Sequence, residues 1–351
     1  MNRAVTIQDV ARHAGVAKAT ASYALSGKGQ LAPETRETVL MAARELGFEP
    51  NVNAQRLSSG RCSDTIGLFA VRLDLGVGAQ KVQRIQSLLA AQGFRVPVFT
   101  GGFQLDGQAA RDSETAVFLS DLRRQKPVAI VCNAVSLGPA SLAELQKFQG
   151  EGGALVVYDH PNELGCDKVI FDRAHNTELA ARHLLELGHR EIGLYMPGEP
   201  ATPLPAEPHP RIAGFRAALE AFGVSFNPDW LWNGGQYEEG GAALAENFLR
   251  ARNRPSAICV VNDDAAAGFC SALLRAGWRI PDDLSVVSHD DLPIARFFSI
   301  PLTTVSNPVE AVAQNVVELL LHRLQNPDAP FSSRVLRGEL CVRASTRALG
   351  A

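Results

Sequence analysis

The pattern of apolar and polar positions divides the chain in two. Through residue 46, apolar residues fall at helical spacing in three short stretches separated by breakers. Thr6 precedes the first stretch, and Asp9 lies three residues on, so each can satisfy the other's backbone N–H. Gly15 ends that stretch where the chain needs a positive φ. A second helix is predicted over roughly 17–25 and a third over 33–46, opened by Pro33 and closed by Gly47. A helix, a turn of about three or four residues and a second helix is helix-turn-helix spacing, a layout that reads DNA. Small Ala11 and Ala21 let the two helices approach, and Val10, Val16, Leu25, Val39 and Leu46 can form one small core. Ala17 and Ala32 stand where capping side chains would serve the second and third helices. Each loss costs roughly 0.5–2 kcal/mol, so the segment is expected to hold together loosely by itself.

The next stretch, FEPNVNAQRLSSGR, has one helical face formed by Ala54 and Leu57 and is too short to be a stable lone helix. From Asp64 the pattern changes. Apolar β-rich runs at 65–71, 94–99, 128–132, 154–159, 168–172, 191–196, 256–261, 284–290 and 303–307 alternate with helical patterns at 78–92, 111–125, 141–150, 174–188, 211–223, 238–251, 263–277 and 308–325. This alternation predicts βαβ units and parallel sheets. The length is too great for one sheet, so two lobes are expected, with a ligand between them at the carboxyl ends of the strands. The proline-rich stretch 197–211 reads as a surface loop or a loop lining that cleft.

Charge sharpens this division. The net charge is −3, yet residues 1–61 hold eight Lys/Arg against five acids, a surplus of three that leaves −6 on the remainder. A basic head on an acidic body suits nucleic-acid contact through the head alone. The six cysteines are scattered without a CxxC pair, so neither a metal knuckle nor a disulfide framework is expected, and no cofactor is called for. No leader or membrane span is evident, and the cytoplasm is the expected compartment. The chain lacks GxGxxG after its first strand, GxxxxGK[ST], GxSxG and HExxH, which argues against an enzyme. A secreted two-lobed binding protein without a DNA role is the alternative, and the basic head speaks against it.

Several segments together resemble the lactose/galactose repressor (LacI/GalR) family. They are TIQDVARHAGVAKATASYALSGKG, APETRETVLMAARELGFEPN, LLELGHREIGLY, PRIAGFRAAL, VVNDDAAAGFCSALLRAGWRIPDDLSVVSHDD, PLTTVSNP and ELCVRASTR, in that order over nearly the whole chain. The resemblance implies an α/β protein: an N-terminal helix-turn-helix head (1–49), a hinge helix and linker (50–61), and a two-lobed periplasmic-binding-protein-like core. The lobes are expected at 62–161 with 291–325 and at 162–290 with 326–346. It also implies a homodimeric transcriptional regulator, a repressor by family expectation. Its partners would be double-stranded operator DNA and a small effector such as a sugar, sugar acid, sugar phosphate or nucleoside. No apolar heptad tail follows ASTRALG, which favours a dimer over a tetramer.

On that resemblance Lys18, Ala19 and Tyr23 match base-reading positions. Lys18 can donate to guanine, Ala19 can touch a thymine methyl and Tyr23 can donate to a base edge or phosphate. Thr20 and Ser22 suit phosphate contact. Thr6, at the start of the first helix, and Asn51 and Ala54 of the hinge complete the expected DNA-contacting set. Leu57 matches the family's minor-groove wedge, which kinks DNA. Arg211 and Asp263 match effector-binding positions, a forked donor and a carboxylate acceptor, although Asp263 could instead cap the following helix. Gln236, Tyr237, His289, Arg72 and Asp74 complete the expected effector set, with Asn262 as a secondary candidate. Asp290 and Asp291 are expected to act as caps or lobe-hinge residues. With few aromatic faces and many charges at these positions, charged ligands come into consideration beside neutral sugars.

Overall fold

The computed structural model describes residues 5–26, 31–48, 64–70, 73, 76–101, 108–133, 137–159, 163–197 and 209–350. The hinge positions Asn51, Ala54 and Leu57, and the cleft positions Arg72 and Asp74, lie outside them. The chain forms two compact units, residues 1–63 and 64–351.

The first unit holds α1 (Ile7–His13), α2 (Lys18–Ser26) and α3 (Pro33–Glu45). Thr6 and Asp9 form the reciprocal capping box that their spacing predicts. Gly15 and Gly47 take φ of 67° and 63°, the left-handed turns that stop α1 and α3. Val10, Ala21, Ala24 and Val39 form the buried centre, with Val16, Leu25 and Leu46 packed against it. Ala32 precedes α3 without a side-chain cap.

The second unit contains two six-stranded sheets. The first has β1 (Ile66–Phe69), β2 (Val98–Phe99), β3 (Ala129–Asn133), β4 (Ala154–Asp159), β5 (Asp167–Phe171) and β11 (Ser333–Leu336), all parallel, in the order β11-β5-β4-β3-β1-β2. Around it lie α4 (Gly76–Ala91), α5 (Gln108–Arg124), α6 (Pro139–Gly150) and α12 (Val309–Gln325). The second sheet has β6 (Ile192–Pro197), β7 (Leu231–Gly234), β8 (Ala257–Val260), β9 (Ser285–Asp290), β10 (Thr303–Ser306) and β12 (Leu340–Cys341). Its order is β12-β10-β9-β8-β6-β7, with only β12 antiparallel. Its helices are α7 (Arg173–Glu186), α8 (Pro210–Ala221), α9 (Glu238–Arg250), α10 (Asp263–Arg275) and the short α11 (Pro293–Phe297). The strands β1, β3, β4, β6 and β8 are mainly apolar, as parallel strands covered on both faces require. Phe248, Phe269 and Trp278 pack edge to face in the second core.

Sheet membership corrects the expected lobe boundaries. Residues 167–171 and 333–336 pair within the first sheet, and 303–306 within the second. The chain therefore crosses between lobes at Asp172, at Asn307–Pro308 and at 337–339. Hydrophobic runs alone do not reveal which sheet a strand joins, and β7, β11 and β12 are short segments that periodicity misses. The crossings are tied to their surroundings. Arg337 Nε donates to Asp172 at 3.2 Å, the Gly338 amide to Asn176 Oδ1 at 2.9 Å and the Glu339 amide to Ser306 Oγ at 3.0 Å.

Candidate functional site

On the head, α2 turns its buried side, Ala21 and Ala24, inward. Lys18, Ala19 and Tyr23 are exposed on the other side, while Thr20 and Ser22 are half-buried. Tyr23 is 52% exposed, so it is not a member of the head's own core. No acid stands in the first turn of α2. A helix start without carboxylates and with an exposed lysine favours approach of a phosphate backbone.

A second group of side chains gathers at the carboxyl ends of the second sheet. Asn262 follows β8 and caps α10, its Oδ1 accepting from the Ala265 amide at 2.8 Å. Its Nδ2 donates to the Gln236 carbonyl at 2.8 Å, so the turn carrying Gln236 and Tyr237 is fastened beside that helix start. Asp263 has no exposed surface. It accepts from Ser288 Oγ at 2.5 Å, Thr304 Oγ1 at 2.8 Å and the Leu292 amide at 2.7 Å. Burial, then the neighbouring Asp290, pushes its pKa up to about 7 against those three donors. Both oxygens are thus committed to the protein. The expectation that Asp263 accepts from an effector is corrected: it is an internal strut, and the cap of α10 is Asn262.

The carboxylate that faces the charged cluster is Asp290, the last residue of β9, held at φ 102°. Its Oδ1 accepts from Asn307 Nδ2 at 3.0 Å, which links it to the second crossing. Its charge acts on Arg211, in the first turn of α8. The Arg211 guanidinium donates to no described residue. Burial, then Arg173, lowers its pKa to about 10, with Asp290 opposing. His209 caps α8 by accepting from the Arg211 amide at 3.3 Å, and burial followed by the two arginines lowers its pKa to about 4. His289 is 5% exposed. Its Nδ1 donates to the Val260 carbonyl at 3.0 Å, while its buried Nε2 makes no hydrogen bond to a described residue, although the Asn176 carbonyl also acts on the ring. Burial, then Arg211, lowers its pKa to about 4.

Across the first crossing, Asp159 ends β4 at φ 78°. Its carboxylate pairs with buried Lys81 and accepts from Asn133 Nδ2 at 2.8 Å, while its carbonyl accepts from Arg173 Nη1 at 2.6 Å. Arg173 opens α7 in the second lobe, so this bond spans the lobes.

Residues 6–51 match the lacI family of bacterial regulatory proteins, and residues 181–346 match the periplasmic binding protein-like domain. The chain carries a lacI-family helix-turn-helix domain joined to a periplasmic binding protein-like domain. As such it is a DNA-binding transcriptional regulator with an effector-binding domain. The regulator is similar to the HTH-type transcriptional repressor PurR of Vibrio campbellii, with 27% identity over 98% of this chain and 99% of that one. It is also similar to the ribose operon repressor of Haemophilus influenzae, 28% identical over 98% and 99%. Among solved structures, the lac repressor dimer bound to operator and the anti-inducer ONPF aligns with a TM-score of 0.79 and 26% identity, over 99% of this chain and all of that one.

In this regulator Arg211 lies within electrostatic reach of His289, and Gln236 and Tyr237 stand on the turn fastened to Asn262. Asp290, His209, Asn307 and Arg173 were not singled out as effector contacts. Asp290 carried a signal, as one of two acids at the end of a β-run. Arg173 carried none, because it approaches Arg211 only through the packing of α7 on α8.

Proposed function

We propose that the protein is a cytoplasmic repressor that binds a near-palindromic operator as a homodimer. A small effector in the cleft between the lobes sets its grip on DNA. The observation that carries the effector reading is the Arg211 guanidinium beside Asp290, half-buried yet bonded to no described residue. A guanidinium withdrawn from water without a protein acceptor is a donor reserved for something else. The head would span 1–49 and the hinge 50–61. Lys18, Ala19 and Tyr23 would read bases, with Thr6, Thr20, Ser22, Asn51 and Ala54 supporting and Leu57 wedging the minor groove. Arg211, Gln236, Tyr237, His289, Arg72 and Asp74 would face the effector, and Asp290 joins them.

Asp290 is bonded to Asn307 at one crossing, and Arg173 is bonded to Asp159 at another. A ligand that draws on Arg211 and Asp290 therefore pulls on the segments about which the lobes turn. DNA affinity shifts by the ligand's differential affinity for the two lobe arrangements. The carbohydrate-derived class is favoured, in keeping with the ribose operon repressor among the relatives.

The test is operator binding over a salt series, with and without effector candidates, for the wild type, Leu57→Ser and Arg211→Ala. Salt-dependent binding to a symmetric site is expected, weakened by Leu57→Ser without loss of dimerisation and made effector-insensitive by Arg211→Ala. A monomer with no preference for a symmetric site over random duplex would overturn the reading.

A further inference from the structure

Helices α7 and α8 start side by side. At Gly214 a Cβ would lie 1.9 Å from the Ala174 carbonyl oxygen, so only glycine lets the first turns come this close. Neither first turn contains an acid. Asp172 caps α7 by accepting from the His175 amide, but Arg173 opens that helix and Arg211 lies in the first turn of the other, so two guanidiniums converge. Arg173 spends one nitrogen on the Asp159 carbonyl and rests its guanidinium 5.6 Å from the centre of the Phe171 ring. It donates to no other described residue, and Arg211 donates through its side chain to none. The charges of the two arginines act on each other, and both act on His209. Asp290 offsets part of this charge on Arg211, but neither arginine forms an ion pair with a described acid. Asp263 is consumed internally, and one oxygen of Asp290 is taken by Asn307. His289 Nε2, buried and unpartnered, lies within electrostatic reach of Arg211 and Asp290. The Asn176 carbonyl also acts on this ring, and Nε2 itself is left open to a polar group of a ligand.

We propose that the effector carries an anionic group, a phosphate or carboxylate, held between Arg173 and Arg211, with a hydroxyl of the same ligand reaching His289 Nε2. This rests on the effector-controlled reading above and narrows its ligand from sugars at large to their acidic derivatives. Guanidiniums bind such groups through paired charge-assisted hydrogen bonds. The anion would offset the mutual repulsion of the two arginines, and it would compete for Arg173 with the Asp159 carbonyl of the other lobe.

The test is isothermal titration of the full-length protein at constant ionic strength with inorganic phosphate, ribose and ribose 5-phosphate. Saturable phosphate binding is expected, with ribose 5-phosphate bound at least about tenfold more tightly than ribose. Arg173→Gln and Arg211→Gln should each weaken phosphate binding about tenfold, which separates this site from the DNA-binding head, whereas Arg173→Lys should keep part of it. Thermal melts of each variant report whether it is folded. Absence of saturable phosphate binding, or binding unchanged in both Gln variants, would overturn the proposal. Ribose bound as tightly as ribose 5-phosphate would overturn it too while leaving effector control intact. Loss of operator recognition by the wild type would strike the earlier reading alone.

Discussion

The Thr304 hydroxyl donates to Asp263 Oδ1 at 2.8 Å, joining the first residue of α10 to a strand far along the chain. Ser288 and the Leu292 amide complete a closed set of donors around a carboxylate with no exposed surface. Removing that carboxylate leaves three buried donors without an acceptor, at about 1–3 kcal/mol each. Asp263→Ala is therefore expected to lower core stability by several kcal/mol in urea unfolding. Asp263→Asn should cost less, because its amide can donate to both hydroxyls while its oxygen still accepts from Leu292.

The same residue gives a pH signature. Its folded pKa of about 7 lies above the ordinary 3.8, so between those values the folded state binds more protons than the unfolded state. Its contribution to stability then falls as pH rises from about 4 to about 7. His209 and His289, each lowered to about 4, act oppositely: their contribution falls as pH drops from 6.5 toward 4. Unfolding titrations of the wild type and Asp263→Asn should differ in slope across this range. Histidine NMR should show both rings neutral down to about pH 5.

Lys81 and Asp159 are 1% and 5% exposed and paired with each other. Lys81→Met leaves a buried carboxylate uncompensated and should cost about 3–5 kcal/mol. Adding Asp159→Asn should recover much of that loss, because no unpaired charge remains. Denaturant melts of the two single variants and the double variant provide the check.

Gly214→Ala would drive a methyl group into the Ala174 carbonyl, 1.9 Å from its oxygen. The first turns of α7 and α8 must then separate. A loss of about 1–3 kcal/mol is expected in thermal unfolding, together with weaker effector binding because Arg173 and Arg211 move apart.

On the head, Lys18→Ala should reduce operator affinity by about 1–3 kcal/mol and relax sequence preference if the lysine reads a base, whereas a phosphate contact would show as a shallower salt slope at unchanged specificity. Ala32→Ser should supply the missing cap of α3 and stabilise the head by about 1 kcal/mol. Amide exchange over residues 31–46 measures this.

Much of the architecture was legible because parallel strands covered on both faces are long apolar runs, and the helices between them keep one apolar stripe. The capping box at Thr6 and Asp9 and the turn at Gly15 follow from side-chain chemistry that acts within three or four residues. What the sequence hid was non-local. Two adjacent acids after β8, and two more at the end of β9, look alike in one dimension. Only packing shows Asp263 sealed among hydroxyls and Asp290 at the charged cluster. Arg173 gains its place through a glycine about forty residues away, and no periodicity announces that. Lobe boundaries were misjudged for the same reason: a strand's partner depends on which edge is vacant, not on its own residues.

The strand at 333–336 completes the first sheet beside a strand that ends at Phe171. The amino-terminal lobe therefore remains unfinished on the ribosome until residues 333–336 are made, long after the helix-turn-helix segment has emerged. A premature stop near residue 330 would leave both sheets missing an edge. Such a fragment would carry its DNA reader on a sensor with two open sheet edges.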